Sequence, residues 1–143
     1  VEVPYLRRKV ARVAARAGFD PESHAGRALT EVLEGYPRDE LFQIDDDTLS
    51  RFALELMQLS EHPRVRVLPR IDPFDRFVSV LVYIPKERYD TQVRGVVGAF
   101  LARLYGGRVS AAYPAYPDGA LARTHYIIGR DEGRPPEVAR AEL

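Results

Sequence analysis

Three groups of side chains have types and spacings that could do chemistry. The run Asp45-Asp46-Asp47-Thr48 crowds three carboxylates and a hydroxyl, the donor set of a hard cation such as Mg²⁺ or Ca²⁺. Arg64, Arg66 and Arg70 alternate with apolar residues, so on a strand they would form one basic row able to hold an anion or an acidic partner. His24, His62 and His125 are the chain's three histidines; none has a metal-type partner at helical spacing.

Each group also has a plain structural reading. The acidic run lacks the glycine and spaced oxygens of a calcium loop, and carboxylates at a helix start cap free N–H groups. An arginine row beside Pro69 suits an edge strand protected by charge. His62 stands at a helix exit and His125 within a strand pattern. Gly95, Gly98, Gly106 and Gly107 fall inside or at the end of a helix pattern, the wrong place for a phosphate loop. No Ser lies in a G-x-S-x-G turn. The candidate ligand or interface residues are therefore Asp45, Asp46, Asp47, Thr48, Arg64, Arg66 and Arg70. No catalytic, cofactor-binding or metal-binding residue is expected.

Composition narrows the classes further. In 143 residues, Lys+Arg and Asp+Glu each number 21, which argues against a nucleic-acid or anionic-membrane binder. With no cysteine, disulfides and thiolate chemistry are excluded. There is no membrane-length apolar run and no signal peptide, so a cytoplasmic setting is the default. The chain starts at Val1 and ends at Leu143, soon after Pro135-Pro136-Glu137 read as a helix start, so a piece of a longer chain is expected.

The elements that would position these groups follow from periodicity. Helices are predicted over 5–17 and about 22–34, the second stopped by Gly35 and Pro37. Leu41–Ile44, too short for a helix, reads as a strand. A third helix starts at Asp45–Asp47, with Leu49, Phe52, Ala53, Leu56 and Leu59 as its stripe. Strands at 64–71 and 77–84 flank the turn Asp72–Asp75. A fourth helix opens at Asp90 or Thr91, and strands at 108–113 and 121–129 follow. Residues 77–84, FVSVLVYI, are apolar on both faces, as in a covered central strand.

From Leu41 onward this is α+β in class: a ferredoxin-like βαββαβ sandwich with an extra C-terminal strand, preceded by two N-terminal helices. The domains expected are a helical segment at 1–37, the sandwich at 38–130, and a linker with the start of a helix at 131–143.

VPYLRRKVARVAARAGFDPESHAGRAL, YPRDELFQI, PRVRVLPRIDPFDRFVSVLVYIPKERYDTQVR and LARTHYIIG together resemble the large bacterial NAD-dependent glutamate dehydrogenases. The resemblance covers nearly the whole chain. It implies part of the long region ahead of the catalytic domain, which carries ACT-like modules of ferredoxin-like order. The parent would deaminate glutamate oxidatively to 2-oxoglutarate, with NAD bound outside this segment. The segment would be a non-catalytic regulatory or assembly domain. Its partners would be other domains of the parent chain, further subunits of a homo-oligomer and, if any ligand, an amino-acid effector. ACT modules that bind amino acids place a Gly in the loop after the first strand, as in D-x-x-G-x-L. Here Thr48 stands there, which argues for a weak pocket.

Overall fold

The computed structural model describes residues 2–130. The helix start expected at 131–143 lies outside the described residues. The chain divides into two compact units after His62.

The first unit is helical. Helix α1 (Glu2–Ala17) carries Leu6 and Val13 on its buried face, one period and a turn apart. Helix α2 (His24–Glu34) is capped by Ser23, whose Oγ accepts from the Gly26 N–H at 3.0 Å. Helix α4 (Asp46–Glu61) buries Leu49, Phe52, Ala53, Leu56 and Leu59, the expected stripe. α1, α2 and α4 pack on one another.

The strand expected at 41–44 is instead part of a one-and-a-half-turn helix, α3 (Arg38–Gln43). Pro37 supplies a pre-set φ of −56° at its start, and Asp39 and Glu40 occupy its first turn, where carboxylates meet the positive end of the helix dipole. Leu41 and Ile44 lie three residues apart and both are buried, a helical and not a strand spacing. The unit boundary therefore falls after His62, not at 37/38, because α3 and α4 stay with the helical unit.

The second unit is a four-stranded antiparallel sheet with one long helix. Strands β1 (Arg66–Ile71) and β2 (Phe77–Pro85) form a hairpin. A short 3-10 turn (Lys86–Arg88) leads to α5 (Thr91–Leu104), then β3 (Gly107–Ala115) and β4 (Leu121–Arg130). The sheet order is β1-β2-β4-β3. The central place expected for a strand at 41–44 is taken by β4, the expected extra strand, which inserts between β2 and β3. β2, α5 and β3 thus make a split crossover, and the α+β class with helices ahead of the sheet holds.

Alternation assigns the faces. Val78, Val80, Val82 and Ile84 of β2 join Tyr126 and Ile128 of β4, Leu101 of α5 and Tyr105 at its C-terminal cap in one buried cluster. α5 lies over β3 and β4. Gly98 permits this close approach: a Cβ there would stand 3.1 Å from the Tyr126 ring and 3.3 Å from Val109. The Tyr126 hydroxyl donates to the Arg94 carbonyl at 2.7 Å, and burial pushes it up to about 12. Leu81, pointing the other way, is 2% exposed. Both faces of β2 are covered, as its two-sided apolar pattern predicts.

Candidate functional site: the face of the sheet opposite α5

The acidic run resolves into structure within the helical unit. Asp45 is the N-cap of α4: its carboxylate accepts from the Thr48 N–H at 2.7 Å and from the Thr48 hydroxyl at 3.0 Å. The N–H bond is the main reason its pKa is lowered. Asp46 takes the Arg12 guanidinium at 2.9 Å, and Asp47 pairs with Arg16. The neighbouring Lys9 is buried and donates to the Ile44 carbonyl. Each carboxylate of the run thus has a partner. Thr48 belongs to a helix cap in this unit, not to a loop of the sheet, so it carries no information about a ligand pocket in the sheet module. Among the described residues, no group of three or more His, Cys, Asp or Glu could hold a metal ion.

The basic row behaves differently. Register places Arg66 opposite Tyr83, Leu68 opposite Leu81 and Arg70 opposite Ser79. On β4, Arg123, His125 and Ile127 face the same way, opposite Tyr83, Leu81 and Ser79. On β3, Arg108 pairs with Gly129; after a bulge at Ser110, Ala111, Tyr113 and Ala115 continue the face. The face opposite α5 therefore gathers Arg66, Arg70, Arg108, Arg123 and His125. No Asp or Glu shares it among the described strand residues. Arg64 precedes β1 and is exposed.

The opposite face carries Val67, Pro69, Ile71, Val78, Val80, Val82, Ile84, Tyr126 and Ile128. Its one cation, Arg130, sits at the end of β4 with a side chain 1% exposed, 3.3 Å from Asp75.

The arginine row is not the solvated edge it suggests in the sequence. Arg70 is 8% exposed and Arg66 half-buried. Arg70 lies 5.9 Å from the Phe77 ring centre, a cation–π distance. Burial raises the Tyr83 hydroxyl, and Arg123 offsets part of that rise. Ser79 Oγ and His125 Nε2 lie 2.7 Å apart, a nucleophile–base distance. Ser79 is 1% exposed, so its hydroxyl is sealed from substrate. The pair satisfies two buried polar groups. Of the guanidinium groups on this face, Arg108 is exposed, Arg66 and Arg123 are half-buried and Arg70 is buried. Arg108, Arg123 and His125 escape a reading of the sequence because only strand register brings them beside Arg66 and Arg70.

Residues 66–143 match the glutamate dehydrogenase ACT2 domain, and residues 3–62 match glutamate dehydrogenase helical motif 1. The chain belongs to the glutamate dehydrogenase family. The two matched regions correspond closely to the two compact units. The NAD-specific glutamate dehydrogenase of Pseudomonas aeruginosa is 35% identical over 142 residues, 99% of this chain and 9% of that protein. The Mycobacterium tuberculosis protein of the same name is 33% identical over 99% of this chain and 8% of its own length. The Halomonas elongata protein is 36% identical over 94% of the chain. The chain thus spans less than a tenth of the length of these relatives. No helix among the described residues is long and apolar enough to cross a membrane.

Proposed function

We propose that this chain is a non-catalytic regulatory and assembly segment of an NAD-specific glutamate dehydrogenase. The parent enzyme would deaminate L-glutamate oxidatively to 2-oxoglutarate in the cytoplasm, with NAD bound outside this segment. The segment would serve protein–protein contact, with other domains of the parent chain and with further subunits of a homo-oligomer. One observation carries this reading. In the ACT2-matching unit the strand residues of the face opposite α5 include Arg66, Arg70, Arg108, Arg123 and His125 and no carboxylate. Its one nucleophile–base pair, Ser79–His125, is sealed. A face of guanidinium groups recognises acidic surfaces, and it lacks the paired acid and base that proton transfer at a substrate carbon requires.

The test is glutamate-dependent NADH formation by the purified 143-residue chain, beside the full-length enzyme. The expected result is no turnover above buffer. Activity that tracks the chain through purification would overturn the proposal.

A further inference from the structure

The outer side of α5 is apolar where a helix of a lone domain would be polar. Val96 is 65% exposed and Phe100 47%. Ala99 and Gly95 lie on the same exposed side. The two glycines of α5 differ in kind. Gly98 faces inward and has a packing reason; a Cβ on Gly95 would meet nothing within 4 Å. A mid-helix glycine in open space costs about 1 kcal/mol relative to alanine with no return inside the unit.

We infer that this face of α5 packs against α5 of a second copy of the chain, antiparallel, about a two-fold axis level with residues 97 and 98. The pattern is self-complementary in that register. Phe100 of one copy comes level with the partner's Gly95, over the depression bounded by the partner's Gln92, Val96 and Ala99. Val96 comes level with the partner's Ala99. Large side chains thus meet small ones at these two levels, as ridges in grooves require. Charge is complementary too. Arg103, in the last turn of α5, reaches the partner's first turn, where the partner's Asp90 caps the helix. Both dipole ends gain.

The adjoining edge strand β3 is a poor contributor. Its bulge at Ser110 and its Pro114 are devices that block strand pairing, so the contact is made by helices. A helix of 14 residues is about 21 Å long. The interface is therefore at the small end of specific contacts, and dimerisation is expected in the micromolar range or weaker.

This inference rests on reading the segment as an assembly element. It names one surface and its occupant. The experiment uses the absence of native cysteine. In the antiparallel register, position 92 of one copy lies level with position 103 of the other. Two copies of position 92 are then about 16 Å apart along the axis, eleven residues at 1.5 Å each. Under mild oxidation, Q92C mixed with R103C is expected to give a disulfide-linked dimer, and neither variant alone is. Sedimentation of the unmodified 143-residue chain should show concentration-dependent dimer. F100S should weaken it at least about tenfold, equivalent to about 1.4 kcal/mol. G95L should weaken association while raising the monomer's thermal midpoint by a few degrees, two opposite signs that a purely structural role would not produce.

A chain that stays monomeric into the high-micromolar range, in a state where the Q92C–R103C mixture also fails to link, would overturn the inference. So would Q92C linking to itself, or a dimer unmoved by F100S. A monomer whose α5 is instead covered by another part of the parent enzyme gives the first of these results. Dehydrogenase activity in the isolated chain would defeat the functional proposal while leaving the dimer intact, so the two failures are distinguishable.

Discussion

The acidic run at the start of α4 and the cationic face of the sheet are two concentrations of like charge among the described residues, and they have different fates. Asp45, Asp46 and Asp47 are adjacent in sequence, yet each is consumed locally: one caps a helix and two pair with arginines of α1. Arg66, Arg70, Arg108 and Arg123 are spread over nearly sixty positions, yet register sets them on one face with no acid among them. Charges clustered along the chain mark a structural boundary here. Charges clustered across strands are brought together by register alone.

The largest expected effect uses the difference between the two sides of β2. Val80 and Leu81 are both buried, on opposite faces. Val80→Asp places a carboxylate among Tyr126, Val78 and Ile128, and should destabilise by about 3–5 kcal/mol. Leu81→Asp buries the same charge on the face that carries His125 and the arginines, and should cost at least about 1 kcal/mol less. Denaturant unfolding of both variants checks this. Equal costs would break the claim that the faces differ electrostatically.

An intermediate effect belongs to Asp72, an acid of the sheet unit that lies in the β1–β2 turn. Its carboxylate accepts from the Arg76 side chain at 2.9 Å and from the Phe74 and Arg76 N–H groups at 3.2 and 3.1 Å. The Arg76 bond, with the backbone donors, holds its pKa down to about 2, against an ordinary 3.8. A depressed carboxylate stabilises the fold fully above its unfolded pKa and loses that contribution as pH falls through its folded pKa. Because Arg76 is exposed, the effect is discounted to about 1 kcal/mol, lost between about pH 4 and pH 2. Asp72→Asn should remove that part of the acid sensitivity, as read from thermal midpoints across this range. An unchanged profile would show that the turn does not hold the carboxylate ionised.

The smallest effects sharpen the other side of the comparison. Asp45→Ala removes the α4 cap and should cost about 1 kcal/mol. Arg16→Ala breaks an exposed ion pair with Asp47 and should cost less than the loss of the cap, vanishing at about 1 M salt. Urea midpoints with and without salt measure both. A larger loss for Arg16→Ala than for Asp45→Ala would mean the acidic run does more than punctuate the chain.

Much of this was legible in the sequence because it is local. The stripe of α4, the Asp45 cap and the two-sided strand 77–85 each follow from neighbouring residues. Leu41–Ile44 was misleading because four apolar-leaning residues carry no decisive period; Pro37 and the following acids decided for a helix. That error displaced the domain boundary and the expected ligand loop with it. The order β1-β2-β4-β3 could not be read, since strand order depends on contacts between residues far apart in the chain. The face that joins Arg66 and Arg70 to Arg108, Arg123 and His125 was hidden for the same reason.

The central claim is that the sheet serves contact and not catalysis, and the full-length dehydrogenase tests it most directly. Arg66→Glu with Arg108→Glu reverses two charges of the face opposite α5, one half-buried and one exposed. Light scattering and thermal unfolding should be measured beside steady-state kinetics on the same preparation. The account predicts a smaller assembled fraction or a thermal midpoint several degrees lower, with KM for glutamate and for NAD within about twofold of the unmodified enzyme, since the substituted side chains bind neither. A large fall in kcat with assembly and midpoint unchanged would contradict it.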